Sequence, residues 1–263
     1  MNQPLAYVNP QAKVAANVVI EPFVSIDKNV VIEEGTWIGS NVTIMEGARI
    51  GKNCKIFPGA VISAIPQDLK FAGEDTIVKI GNNVVIREFA TINRGTKASY
   101  ETVVGDNCLL MAYTHVAHDC IVGNNVIMAN GAMLAGHVIV DDWAIIGGGV
   151  LVLQFCHIGA HTIIAGGSGV GKDVPPYTKA ARDPLSYVGV NSIGLRRRGF
   201  SPEVINKIQE IYRIIFLKNY NVTQAVEIIE AKVEATPERD EILSFIANSP
   251  RGLMKGYSKI RDK

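Results

Sequence analysis

The stretch HVAHDC, residues 115–120, gathers two imidazoles, a carboxylate and a thiol. Eighteen positions beyond Asp119 stands His137, and all five histidines (His115, His118, His137, His157, His161) fall between 115 and 161. Three kinds of chemistry fit these residue types. About three well-aimed imidazole and carboxylate ligands would hold zinc. A single imidazole beside a hydroxyl, oriented by a carboxylate, would act as a general base. Surface histidines can also have no task. Type and spacing alone leave all three open.

The elements that must position these residues follow a six-residue period. Val8, Val14, Ile20, Ile26, Ile32, Ile38, Ile44, Ile50, Ile56 and Ile62 are ten aliphatic residues in unbroken register. The phase resumes at Ile80, Ile86 and Ile92, and again from Val104 to Val170. Such a series predicts a repeat solenoid. Two positions before each aliphatic residue stands a small or β-branched one, as Val18 before Ile20 and Val24 before Ile26. Residues i−2 and i share one side of a strand, so each hexad supplies a short strand with that pair turned inward. Turn formers follow, in IGSN, IGKN, VGDN and VGNN. Three strands and three turns make a triangular coil of eighteen residues, and stacked coils make a mainly β structure, a parallel β-helix. Asp119 and His137 are then expected at one corner, one layer or about 5 Å apart. With His118 they should form a polar cluster on the outer surface. Cys54, Cys108, Cys120 and Cys156 each fall four residues after a register position, where small inward residues belong. His157 and His161 lie across a turn, where a surface role and a functional one are equally open.

Two insertions interrupt the repeat, near 63–79 and 93–103, and loops projecting from a rigid scaffold commonly carry function. Two prolines in KDVPPYTKA are expected to end strand pairing, giving a β-helix over residues 1–185. Residues 186–263 read as a small helical unit. Ser201 and Pro202 start one helix, and Thr223 and Thr236 are expected to cap two more. The 263 residues carry a formal charge of +1, with no overall bias toward nucleic acid or membrane. From Leu195 onward thirteen Lys and Arg face nine Asp and Glu, a mildly basic tail that suits an acidic partner or a phosphorylated ligand. MNQPLAYVNP has no secretory character and no apolar run approaches the roughly 20 residues of a membrane span, so a cytoplasmic location is expected.

HVAHDC, LAGHV, PQDLK followed by AGE, RGT, QFC followed by IGAH, KDVPPY and GLRRRGF occur in an order and spacing that resemble the UDP-N-acetylglucosamine O-acyltransferases of lipid A biosynthesis. The likeness spans nearly the whole chain. It implies the left-handed β-helix of the hexapeptide-repeat superfamily, a homotrimer, and no cofactor or metal. It also implies transfer of an (R)-3-hydroxyacyl chain from acyl carrier protein to the glucosamine 3-hydroxyl of UDP-GlcNAc. Carried over by motif, His118 is the general base and Asp119 its orienter. The Gly136 N–H stabilises the oxyanion. Gln67, Asp68, Lys70, His115, His137 and Gln154 contact the acceptor. Asn191, Arg197 and Arg198 face the nucleotide and its phosphates, and Gly166 bears on acyl-chain length.

Three positions depart from the family pattern. Asn93 stands for a histidine, Leu153 for another, and Ile193 for a glutamate. They leave open a 3-amino sugar acceptor or a non-catalytic nucleotide-sugar-binding paralogue. A zinc carbonic anhydrase on the same scaffold is the alternative from another class, though it has no use for PQDLK or the arginine-rich tail.

Overall fold

A computed structural model describes residues 4–256. Short strands from Tyr7–Val8 to Gly169–Val170 wind around a triangular prism, a left-handed parallel β-helix. Successive strands fall on three faces in rotation. Among the described residues the first face has nine strands and includes His115–Val116, the second has eight, and the third has eleven. Where no insertion intervenes, stacked partners are eighteen residues apart, as in Ile26 with Ile44 and Val116 with Leu134. From Ile20 onward the inward column is buried, with Ile26, Ile44, Ile62, Ile92, Leu110 and Leu134 completely so, while Val8 and Val14 at the open end are half-buried. Each such side chain contributes about 1.5–3 kcal/mol of burial. All four cysteines are buried in the same interior.

Most turns of the prism place their third residue in the left-handed region, which suits Asn and Gly. At the second corner, between the second and third faces, Asn53, Asn83, Asn107 and Asn125 take this role. Side chains one position earlier in these turns link coil to coil. The N–H groups of Asn82, Asp106 and Asn124 donate to Asp106, Asn124 and Asp142, one coil further on.

Both insertions leave from the first corner, between the first and second faces. Ile62 and Ile80 occupy successive inward positions eighteen residues apart instead of six, and Ile92 and Val104 are twelve apart. The loops themselves run over 65–76 and 94–100.

The two prolines do not end strand pairing. Val174 bridges Ile158, and Thr178–Ala181 pairs in parallel with Ile163–Ile164 on the third face. Pro175 and Pro176 sit at the corner between these, where no ladder N–H is required. Ser186–Val190 pairs back antiparallel on Thr178–Ala181, so the third face continues past residue 185.

Among the described residues four helices follow: α1 Ser192–Arg197, α2 Pro202–Leu217, α3 Val222–Lys232 and α4 Pro237–Ala247. Ser201 and Thr236 cap α2 and α4. Asn221, one residue before Val222, caps α3 in place of Thr223, through a box with Gln224 that satisfies both backbone donors. α1 is capped by Asn191. The fully buried Tyr212 of α2 donates to the Pro176 carbonyl at 2.6 Å, and α4 lies on the second face with Phe245 against His157. Among the described residues no helix is long and apolar enough to cross a membrane.

Candidate active site

His118 and Asp119 form the first-corner turn that follows strand His115–Val116, and His137 occupies the same turn one coil on. Asp119 and His137 both have positive φ, 59° and 62°, where Asn or Gly would sit more easily. Both are the third residue of their turn, the position that is left-handed at most corners of the prism. The Nδ1 of His118 lies 2.7 Å from Asp119 Oδ2, and His137 Nε2 is 3.7 Å from the same oxygen. The two imidazole rings meet edge to face at 5.2 Å, and His137 stacks on Phe155 of the next coil at 4.6 Å.

The cluster is not on the open surface, as the repeat alone would place it. His118 and Asp119 are only 6% and 5% exposed, because the 94–100 insertion folds over them. Thr96 donates to Asp119 through its N–H at 2.9 Å and its hydroxyl at 2.7 Å. Ser99 donates through its hydroxyl at 2.5 Å and its N–H at 3.3 Å. The Asp119 N–H in turn donates to the Thr102 hydroxyl. Burial pushes the Asp119 carboxyl up, but the hydrogen bonds from Ser99, Thr96 and His118 outweigh it and hold the group well below the usual carboxylate range. Motif reading passed over Ser99 and Thr102 and took Thr96 only as part of RGT, since nothing in period or composition aims a loop hydroxyl at a carboxylate.

His118, Asp119 and His137 bring their ligand atoms within 4.8 Å of one another, close enough to converge on an ion. The donor set fits an acid–base pair better. Both Asp119 oxygens already accept from N–H and O–H groups of the chain, and the near nitrogen of His118 is turned to the carboxylate. The Cys120 thiol is pushed up to about 12 by burial, so it stays protonated and inward.

Gly136 packs directly on His118. A Cβ at residue 136 would stand 2.5 Å from the imidazole Cε1 and 2.7 Å from Nε2. Among the described residues no acceptor meets the Gly136 N–H. His115 is half-buried on the first face with Nδ1 2.7 Å from the Thr91 hydroxyl, and burial followed by nearby His118 pushes it down. Gln67, Lys70 and Gln154 are exposed on the first corner. Asp68 is half-buried and accepts the Lys70 N–H at 2.9 Å.

Further along the same side, an apolar cavity of about 510 Å³ opens among Leu151, Leu153, Val170, Leu185 and Met254, with Lys172 and Lys255 also lining it. Leu153 is therefore a wall of this cavity. Gly166 is not part of it and lies on the third corner, with its would-be Cβ 3.0 Å from the Gly148 carbonyl.

Asn191, Arg197 and Arg198 lie elsewhere. Asn191 caps α1 and donates to the His161 carbonyl at 2.9 Å. Arg198 donates to the Trp143 carbonyl at 3.1 Å, its guanidinium 5.1 Å from the centroid of that ring. Trp143 and His161 are second-corner residues, so this basic group sits on a different corner from His118. Arg197 is exposed. His157 pairs with Asp141 at 2.8 Å beneath α4.

Comparison with known proteins finds relatives over nearly the whole chain. The family model described as Udp N-acetylglucosamine O-acyltransferase, Domain 2, matches residues 173–254, and the bacterial transferase hexapeptide (six repeats) model matches 29–64 and 101–136. The acyl-(acyl-carrier-protein)–UDP-N-acetylglucosamine O-acyltransferase of a Sulfurihydrogenibium species is 53% identical over 259 residues, covering 97% of this chain and 95% of that one. Its counterpart from Aquifex aeolicus is 57% identical over 198 residues, 75% of this chain and 76% of that one. The crystal structure of a UDP-N-acetylglucosamine acyltransferase from Bacteroides fragilis superposes with a TM-score of 0.94 at 50% identity, covering 97% of this chain and 100% of that one.

Proposed function

The chain belongs to the acyl-(acyl-carrier-protein)–UDP-N-acetylglucosamine O-acyltransferases, and from that premise we propose how its own residues carry out the transfer. The donor is an (R)-3-hydroxyacyl chain on acyl carrier protein and the acceptor is the 3-hydroxyl of UDP-GlcNAc. A sugar hydroxyl is a poor nucleophile until its proton is taken during attack. With Nδ1 turned to Asp119, His118 presents Nε2 as the base that takes it. The hydroxyl oxygen attacks the thioester carbonyl, and the Gly136 N–H donates to the developing oxyanion, work worth ~2.7–4 kcal/mol per donor. Collapse of the tetrahedral intermediate breaks the C–S bond, and the imidazolium returns the proton to the departing thiolate. Asp119 stays ionised throughout and stabilises the imidazolium. No acyl-enzyme forms.

The cavity beside Leu151 and Leu153 suits the acyl chain, since it is apolar and begins one coil beyond His137. The exposed polar groups of the first insertion, Gln67, Asp68 and Lys70, suit the sugar, together with His115, His137 and Gln154. Asn191, Arg197 and Arg198 suit the diphosphate and nucleotide, arginine because its planar fork donates in pairs. These last lie on a separate corner from His118, so one copy supplies the base and a neighbour supplies the nucleotide contacts. A homotrimer with sites between prisms satisfies this, and it brings Gly166 of the third corner toward a neighbour's acyl chain. The basic tail complements an acidic carrier protein. A nucleotide-sugar acceptor and a carrier-protein donor put the reaction in the cytoplasm.

The observation that carries the mechanism is the 2.7 Å contact between His118 Nδ1 and an otherwise saturated Asp119. His118→Ala should lower kcat for transfer from acyl carrier protein to UDP-GlcNAc by about 10²–10⁴-fold, with the melting temperature little changed. A variant that keeps most of its activity would refute the role.

A further inference from the structure

Resting on the reading of His118 as the base, we propose that Thr96 and Ser99 of the second insertion are positioning residues. They lock the Asp119 carboxylate in place and limit how strongly it draws a proton onto His118.

The geometry has two parts. The first is number. Asp119 Oδ1 accepts from the Thr96 N–H, the Ser99 N–H and the Ser99 hydroxyl, and Oδ2 accepts from the Thr96 hydroxyl and His118 Nδ1–H. Four of these five donors come from one loop. The Ser99 hydroxyl has a second acceptor in reach, the Glu101 carbonyl at 2.8 Å, but its single proton goes to the shorter, charged contact at 2.5 Å. The second part is origin. The loop occupies six residues more than a plain corner, and without it the turn would leave the carboxylate to water.

The consequence for His118 has a definite sign. A carboxylate that received only the imidazole N–H would stabilise the imidazolium more strongly. Each additional donor takes a share of the negative charge and weakens that pull. The loop donors thus weaken the hold of Asp119 on that proton, and they fix the tautomer that frees Nε2. Other titratable groups face the imidazole too. His137 lies on the next coil, 5.2 Å from it ring to ring. His115, three residues earlier, is tied to Thr91. The Cys120 thiol beside it points inward and stays protonated. The loop also carries Lys97, which is exposed, while Glu101 at its end pairs with Lys79.

The test is the pH dependence of kcat/KM for the full-length enzyme and for Ser99→Ala, Thr96→Val and Thr96→Ser. Removal of either hydroxyl should move the acidic limb to higher pH by about half a unit to one unit. Thr96→Ser, which keeps the hydroxyl, should leave the limb where it is. A loss of rate at every pH with the limb unmoved would overturn the proposal, because it would mean the loop only holds the fold. Where a variant is too slow to assay, NMR titration of the His118 ring reads the same shift directly, and an unshifted ring would overturn it equally. His118→Ala separates the two readings. If that variant stays active, His118 is not the base; if it is inactive and the hydroxyl variants leave the limb in place, only the positioning role of Thr96 and Ser99 fails.

Discussion

A methyl group at residue 136 has nowhere to go except into the His118 ring, 2.5 Å away. Gly136→Ala should therefore swing the imidazole off Asp119 and cut kcat/KM at least about a hundredfold, as displacements near 1 Å can. Melting should change little, because the turn at residue 136 does not need a positive φ. Paired rate and thermal-melt measurements check both halves. At this scale the sequence was informative about which residues meet and silent about what holds them. Eighteen-residue spacing places Asp119 over His137, because both follow the last insertion and one coil is then one repeat. The hydroxyls of Thr96 and Ser99 obey no period. Their contact with Asp119 depends on the path of a loop that leaves the solenoid and returns, and local pattern does not encode such a path.

At the scale of elements, the hydrophobic column was legible almost residue by residue, since a closed prism leaves an aliphatic residue every sixth position nowhere to go but inside. The end of the prism was not. Proline signals a lost N–H, but whether that matters depends on whether the site is a strand or a corner, and Pro175 and Pro176 fall at a corner. Asn191 likewise read as a ligand residue while also serving as a helix cap, because either job wants the same side chain. The cavity supplies a prediction here. Gly169 lines it, and a Cβ there would meet nothing within 4 Å. Gly169→Leu should fill it and shift preference toward shorter acyl chains, with little loss of stability. Competition among acyl-carrier-protein donors of graded length measures this, and an unchanged preference would move the acyl site elsewhere. Gly166 does not line this cavity, so an effect of a bulky residue there on chain length would point to a neighbouring copy.

For the whole molecule, the joint between prism and helical unit titrates. His161 stacks between Trp143 and Tyr177, beneath Phe200 and 3.3 Å from Arg198. Burial, and then the Arg198 charge, push it down from 6.5 to about 4. As pH falls below 6.5 the unfolded chain takes up a proton that the folded chain refuses until about 4, so the stability held at this joint is intact above 6.5 and drains away across that window. The urea midpoint should fall between neutral pH and about 4 more steeply for the native protein than for His161→Gln. Equal slopes would show that the joint does not titrate. The stacking of the coils has a consequence of another kind. His118 lies on one coil, His137 on the next, and the cavity walls Leu151 and Gly169 on the two after that. Neighbouring coils are about 4.8 Å apart, a distance roughly four methylene groups span. If the acyl chain runs along this side of the prism, the scaffold measures it in whole layers, and side chains such as the one at 169 trim within a layer. Splicing one extra eighteen-residue coil between His137 and Leu151 would then lengthen the favoured substrate by a fixed step of about four carbons while leaving every contact around Asp119 intact.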